Sequence, residues 1–190
     1  GRIVGFAGRA LADDTTAKYI NSSDSVIFQK SQLLYGYYEA RQKKASKFLV
    51  VEGYMDVIAL HQAGIYGAIA PMGTAINENQ ITYLFRFNDT LTLCFDGDKA
   101  GQKAALRTLE VAMPILQDGK QIKFLVLPDN HDPDTFVTAY GKDKMQSAIN
   151  TATSLSDFLY NTLASQYDLK QTEEKSRAMA YLKELTSNSV

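Results

Sequence analysis

Four short apolar runs, separated by segments of helical periodicity, constrain the fold more than any other feature of the chain. They are Phe48-Leu49-Val50-Val51, Ala68-Ile69-Ala70, Thr90 to Phe95, and Ile122 to Leu127. A strand covered on both faces reads as a continuous apolar run rather than an alternation. Helical spacing follows at 54–63, 77–87 and 99–117, with Gly64 and Gly119 standing where helices should stop. Strands alternating with helices imply right-handed βαβ crossovers, so the predicted class is α/β with a mainly parallel four-stranded sheet flanked by helices. Ahead of this core, residues 2–11 read as a glycine-interrupted hairpin. Residues 31–43 read as a helix on the spacing of Leu33, Leu34, Tyr37 and Tyr38, and 42–47 as a linker. Beyond residue 132 the pattern turns helical, at 133–149, 154–167 and 172–186. The expected division is therefore 1–45, 46–140 and 141–190.

Composition narrows the class by exclusion. At 45% hydrophobic and 22% charged over 190 residues, the chain is neither collagen-like nor disordered. No apolar run approaches the roughly 18 residues of a membrane span, so no membrane contact is expected. Cys94 is the single cysteine; it cannot form an internal disulfide or a multi-cysteine zinc site, and it fits a reducing compartment. The opening Gly-Arg-Ile-Val carries neither Met nor a signal pattern, so the chain reads as a piece of a larger cytoplasmic protein. A net charge of −1 hides a segregation: residues 1–50 hold eight Lys/Arg against four acids, and residues 51–100 hold two against six. Such a pair of segments suits a site where bases hold polyanion and acids hold cation, although solvated surface charge gives the same totals.

The carboxylates gather where strands end. The first run leads into Glu52-Gly53, the third into Asp96-Gly97-Asp98, and the fourth through Pro128 to Asp132-Pro133-Asp134. Ligands of open α/β sheets bind outside the carboxyl ends of the strands, which puts Glu52 and Asp96 on one edge. Asp96 and Asp98, two residues apart, face one way if the backbone stays extended. Carboxylates crowded there repel unless a divalent cation neutralises them, and Mg²⁺ suits hard oxygen ligands shared with substrate phosphates. A simpler reading stays open for two of them: Asp98 stands where a helix N-cap belongs, and Asp132 precedes a proline at a first helical position. Asp56, one helical turn past Glu52, faces either the same edge or solvent.

Taken together and in this order, Glu52-Gly53-Tyr54-Met55-Asp56-Val57, the Gly73-Thr74 turn, Asp96-Gly97-Asp98-Lys99-Ala100-Gly101 and Asp132-Pro133-Asp134 resemble the Toprim signature. Toprim is the metal-binding fold of bacterial primases, topoisomerases and certain nucleases. The preceding segment narrows the family. Gly1-Arg2-Ile3-Val4-Gly5-Phe6-Ala7-Gly8-Arg9-Ala10-Leu11, Lys18-Tyr19-Ile20-Asn21-Ser22 and Leu34-Tyr35-Gly36 resemble the polymerase core of bacterial DnaG-type primases, closely to about residue 140 and more loosely after 154. Ser23 stands where that family usually has proline.

The resemblance implies a Toprim fold with a partial N-terminal mixed α/β subdomain and a C-terminal helical subdomain. It also implies RNA primer synthesis from ribonucleoside triphosphates on single-stranded DNA, by a metal-assisted nucleotidyl transfer in the bacterial cytoplasm at the replication fork. Glu52, Asp96 and Asp98 would be the principal ligands of Mg²⁺, with Mn²⁺ as a substitute, and Asp56, Asp132 and Asp134 would complete the acidic site. Arg9, Lys18 and Lys30, with Asn21 and Ser22 beside them, would meet template or nucleotide. Zinc would belong to an N-terminal domain outside this chain, and the replicative helicase to a missing C-terminal domain; this piece itself would be a monomer. A Toprim nuclease or topoisomerase fragment, or a non-catalytic metal- and nucleic-acid-binding module, are the alternatives. Tyr35, Tyr37, Tyr38, His61 and Cys94 read as packing residues, and His131 as at most a neighbour of the Asp132 loop.

Overall fold

The computed structural model describes residues 1–10, 19–128 and 130–187. Two strands, β1 (Ala7–Arg9) and β2 (Tyr19–Asn21), form a small antiparallel ladder. Residues 2–11 are therefore not a hairpin on their own. The partner of Ala7-Gly8-Arg9 lies about ten residues on, and local pattern cannot show a pairing of that separation.

The main sheet has six strands, in the order β3 (Leu34–Tyr35), β5 (Ala68–Pro71), β4 (Phe48–Val50), β6 (Thr90–Phe95), β7 (Gln121–Val126) and β8 (Thr153–Ser154). The four expected strands β4 to β7 are mutually parallel, and β3 and β8 add an antiparallel strand at each edge. These edge strands are two residues long, too short to leave a periodic signal, and they come from outside the segment 46–140. Leu34 and Tyr35 belong to the predicted helix 31–43, which starts only at α1 (Tyr37–Gln42). Gly36 sets that start. Its φ is +78°, and a Cβ there would meet Val57 Cγ1 at 2.6 Å and the Ala68 carbonyl at 2.9 Å, so the turn requires a residue without a side chain.

The crossovers are α2 (Tyr54–Gln62), α3 (Glu78–Phe85) and α4 (Lys99–Ala112); α5 (Pro133–Asn150), α6 (Leu155–Gln166) and α7 (Thr172–Ser187) follow. α4 stops short of the predicted 117 because Met113–Ile115 tightens into a 3₁₀ turn around Pro114. Asn77 closes the start of α3 with a full capping box to Gln80.

Strand periodicity sorts the core onto two faces. Phe48, Val50, Leu91, Leu93, Phe95 and Phe124 pack beneath α3, α4, α6 and α7. Leu49, Val51, Ala68, Ala70, Cys94 and Leu125 pack beneath α2 and α5. Burial of each large side chain here contributes about 1.5–3 kcal/mol. Both faces being dry explains why the central strands read as unbroken apolar runs. Among the described residues, no helix is long and apolar enough to cross a membrane.

Candidate metal centre

Parallel strands end on one edge, so the residues following β4, β6 and β7 become neighbours without any further device. The Asp96 N–H points at Glu52 Oε1, 3.4 Å away. Leu127 N–H donates to the Phe95 carbonyl at 3.0 Å, and Gly97 N–H to the His131 carbonyl at 2.9 Å. These bonds fasten the loop after β7 beside the loop after β6. Gly97 is required by that closeness: a Cβ would run into the Leu127 carbonyl. Gly101 is required likewise, because a Cβ there would strike the Asp96 carbonyl as α4 passes over the strand end.

Both capping readings hold. Asp98 Oδ1 accepts Gly101 N–H at 2.7 Å at the start of α4. Asp132 Oδ1 accepts Thr135 N–H at 2.7 Å at the start of α5, with Pro133 in the first turn and Thr135 Oγ1 accepting the Asp132 N–H in return. In each case the hydrogen bonds engage Oδ1, so capping leaves Oδ2 unengaged among the described contacts. Asp56 is a brace as well as an acid: Oδ2 accepts Gly53 N–H at 3.2 Å, and the carboxylate is also bonded by the Asp134 backbone. It thereby ties the start of α2 to the start of α5. Thr138 Oγ1 approaches Asp134 Oδ1 at 3.4 Å.

The electrostatics show the crowding. Burial pushes the Asp96 carboxyl up to about 7, reinforced in turn by Glu52, Asp56, Asp132 and Asp98. Burial and the charges of Asp132 and Asp134 raise Asp56 to about 6 against the two backbone bonds that favour its ionised form. Partial desolvation raises Glu52, with Asp98 adding to the shift and the Asp96 N–H opposing it. All six expected acids thus belong to one interacting group. Asp96 Oδ1 is buried with no hydrogen-bond partner. Among the described residues, no three His, Cys, Asp or Glu side chains close around a single point as a ready-made metal cage. An all-oxygen set with an orphaned buried carboxylate oxygen nevertheless fits a hard divalent ion, since Mg²⁺ takes only one or two protein carboxylates and completes its shell with water and phosphate.

The expected basic residues are distributed less evenly. Arg9, on β1, lies 6.0 Å over the Tyr19 ring, and Tyr19 meets Tyr54 edge-on at 5.8 Å. The small ladder therefore rests on the residue that follows Glu52-Gly53. Asn21 abuts the turn after β5, its Nδ2 being 3.0 Å from where a Gly73 Cβ would stand, and its Oδ1 is buried without a partner. Ser22 serves the ladder: its Oγ accepts Phe6 N–H at 2.9 Å. Lys30 donates its backbone N–H to Asp24 Oδ1 at 3.0 Å, and no described contact carries its ammonium to the carboxylates. Lys18 lies outside the described residues. Residue-by-residue reading missed Tyr54, whose hydroxyl is buried and unpaired, because a tyrosine at the start of a helix carries no signal of its own. It also missed the crevice of about 410 Å³ that opens beside Glu52 between the Gly73–Ile76 turn and α4, lined by Thr74, Ala104 and Arg107 among others. Burial pushes the Cys94 thiol well above its ordinary value, which leaves it a small apolar residue.

Comparison with known proteins agrees with this geometry. A family model described as the Toprim domain matches residues 46–126, and one described as the N-terminal domain of the DNA primase catalytic core matches 1–41. DNA primase of Escherichia coli is 47% identical over 179 residues, covering 93% of this chain and 31% of that protein. DNA primase of Pseudomonas aeruginosa is 48% identical over 178 residues, covering 92% of this chain and 27% of that protein. The chain belongs to the bacterial DnaG-type DNA primase family. It spans about a third of the length of the curated relatives it matches.

Solved primase structures share the fold. A DNA primase domain from Pseudomonas aeruginosa superposes with a TM-score of 0.94 at 46% identity, covering 99% of this chain and 59% of that one. The Escherichia coli primase catalytic core gives 0.87 at 47%, covering 93% and 57%. A DnaG primase catalytic domain bound to single-stranded DNA gives 0.90 at 45%, covering 99% and 61%. Membership of the Toprim class implies dependence on a divalent metal. One expectation is corrected: a family model described as the DnaB-helicase binding domain of primase matches residues 156–188, so a region of that kind lies within this chain and is not missing from it. The sequence concealed this because Leu155, Leu159, Leu163, Ala178 and Leu185 turn into the sheet core, which makes α6 and α7 read as packing helices alone.

Proposed function

We propose that this chain carries the nucleotidyl-transfer centre of a DNA primase, which joins ribonucleoside triphosphates into an RNA primer on a single-stranded DNA template. The observation that supports it most directly is Asp96. Its Oδ1 is buried without a donor, and burial first, then four other carboxylates, raise its pKa. Such an arrangement is costly until a cation occupies it. Glu52, Asp96 and Asp98 are the ligands in this reading, for Mg²⁺ with Mn²⁺ as a substitute. Asp132 and Asp134 flank them, and Asp56 orients the two helix starts. A divalent ion held there supplies orientation of the triphosphate and neutralisation of charge on the leaving group. The chain's own part is to hold Glu52 and Asp96 within hydrogen-bond reach across two strand ends and to fix Asp98 through its cap.

Arg9, Lys18 and Lys30, with Asn21 and Ser22, supply the surface for template or nucleotide, through contacts that are sensitive to salt and indifferent to sequence. Segments 1–45, 46–140 and 141–190 act as basic flank, metal domain and helical flank. Residues 156–188 offer the replicative helicase a contact surface on which Tyr160 and Met179 are exposed, and the protein works at the bacterial replication fork. Zinc belongs to a neighbouring domain of the longer protein. The test is paired. Asp96→Asn and Asp98→Asn should weaken Mn²⁺ binding by this chain and abolish primer synthesis when introduced into the full-length protein. Metal-dependent nicking of supercoiled plasmid, lost in the same variants while primer synthesis persists, would point instead to a nuclease.

A further inference from the structure

α4 leaves the carboxylate edge with Asp98 at its N-cap and no acidic residue in its first turn. Lys99, Lys103 and Arg107 follow at i, i+4 and i+8, all exposed, on the side away from the buried Gly101, Ala105, Leu109 and Ala112. Cations near a helix N-terminus oppose the macrodipole, which favours negative charge there, so the row does nothing for the helix that carries it. It is not offset by neighbours either. The described ion pairs are Lys120–Asp89 and Arg177–Glu174, and none of the three cations joins a described ion pair or hydrogen bond. Arg107 also lines the crevice of about 410 Å³ that opens at Glu52, where these two residues are the charged groups. Helical side chains lean toward the helix N-terminus, so Arg107 reaches back in the direction of the strand ends. The crevice and the row together join the acidic edge to a line of three unpaired cations.

We propose that this row is the path of a nucleic-acid strand past the metal centre, with Lys99, Lys103 and Arg107 each holding a backbone phosphate and Arg107 anchoring the strand at the crevice. At 1.5 Å per residue the row is about 12 Å long. Three cations spread over that length can meet successive backbone phosphates of one strand, which suits a polymer better than one nucleotide. The path rests on the reading of the carboxylates as the point where a strand is extended, but strand binding can be measured without synthesis.

The experiment is titration of a labelled oligodeoxythymidine with the chain at several salt concentrations. Lys99→Gln, Lys103→Gln and Arg107→Gln combined should flatten the dependence of log K on log salt by about 2, at about 0.7 for each phosphate no longer neutralised. Arg107→Gln alone should flatten it by about 0.7. The charge-conserving set Lys99→Arg, Lys103→Arg and Arg107→Lys should keep the wild-type slope. Mn²⁺ affinity and ATP affinity should hold throughout. An unchanged slope in Arg107→Gln at an unchanged melting temperature would overturn the path. So would a loss of ATP affinity with the slope intact, which would make the row part of a nucleotide pocket. Failure of the carboxylate reading would show itself elsewhere, as Asp96→Asn retaining synthesis in the full-length protein.

Discussion

Asp96 presents its backbone N–H to the Glu52 carboxylate at 3.4 Å while its own Oδ1 is buried without a donor. One residue thus supports a neighbouring acid through its main chain and carries an unsatisfied acid on its side chain. Parallel pairing of β4 with β6 forces the juxtaposition, because Val50, the last residue of β4, is in register with Leu93 near the end of β6.

This gives stability a pH dependence of unusual sign. The Asp96 carboxyl is raised to about 7 in the folded chain, against about 3.9 when unfolded. The folded state therefore binds the proton more tightly. Stability from this group is complete below about pH 4 and is lost as pH rises through about 7. Asp96→Asn removes the dependence, so its stability relative to the metal-free wild type should increase between about pH 4 and 7 and level off above. Urea unfolding of both proteins across that range gives the difference. A constant difference would show that Asp96 is not crowded in solution. With Asp96 as a ligand in the proposed reading, saturating Mn²⁺ should shift the balance toward wild type, since the ionised carboxylate is the form that would bind the ion.

Asp98 and Asp132 each cap a helix and are each assigned to the metal site, and amide substitution separates the two roles. Asn caps about as well as Asp, whereas Ala loses about 1 kcal/mol. Asp132→Asn should unfold in urea near the wild-type midpoint yet bind Mn²⁺ more weakly. Asp132→Ala should lose about 1 kcal/mol of stability in addition. Equal Mn²⁺ affinity in wild type and Asp132→Asn would leave Asp132 as a cap alone.

Gly97 and Gly101 should tolerate no side chain. A Cβ at either meets a backbone carbonyl, of Leu127 or of Asp96 respectively, and backbone cannot swing aside as a flexible side chain can. Forcing an extra group into such a contact typically costs about 1–3 kcal/mol. Gly101→Ala should also weaken Mn²⁺ binding, because the carbonyl it displaces belongs to Asp96. Calorimetric titration of the folded fraction would show this, and unaltered affinity would mean that α4 shifts without moving the strand end.

The sequence made the central strands legible because both faces of the sheet are dry, which removes alternation and leaves unbroken runs such as Phe48 to Val51. The acidic edge was legible for a related reason: parallel strands bring their ends together whatever the loops do. What escaped depended on long-range pairing. Leu34-Tyr35 carries helical spacing but is held as a strand by Ala70 and Pro71, and β1 pairs with a strand that begins about ten residues on. The contacts of Asn21 with the Gly73 turn, and of Asp56 with the start of α5, join segments about 50 and 80 residues apart, and no local pattern encodes them. Of the residues expected to meet template or nucleotide, Arg9 was legible as charge, and among the described ones Arg9 and Asn21 have a placement beside the acidic edge that the structure makes explicit.

The helical tail offers a test of how independent the metal centre is. Leu155, Leu159 and Leu163 of α6 and Ala178 and Leu185 of α7 are buried in the core beneath the sheet. Phe158 stacks on Phe124 of β7 with ring centroids 4.4 Å apart. Tyr181 donates a hydrogen bond to Glu110 of α4 at 3.0 Å. The tail thus holds the far face of the sheet and the outer flank of α4, while every candidate ligand lies at or before Asp134. Leu163→Ala should cost about 2–5 kcal/mol, the range for a buried leucine whose cavity only partly collapses. Its folded fraction should bind Mn²⁺ as tightly as wild type, since the strand ends and both caps are untouched. Tyr181→Phe should cost about 1 kcal/mol through the missing hydrogen bond, again without effect on the metal. Urea unfolding and Mn²⁺ titration of both variants separate the quantities. Weaker metal binding in a fully folded Leu163→Ala would mean that packing beneath the sheet sets the spacing of the carboxylates above it.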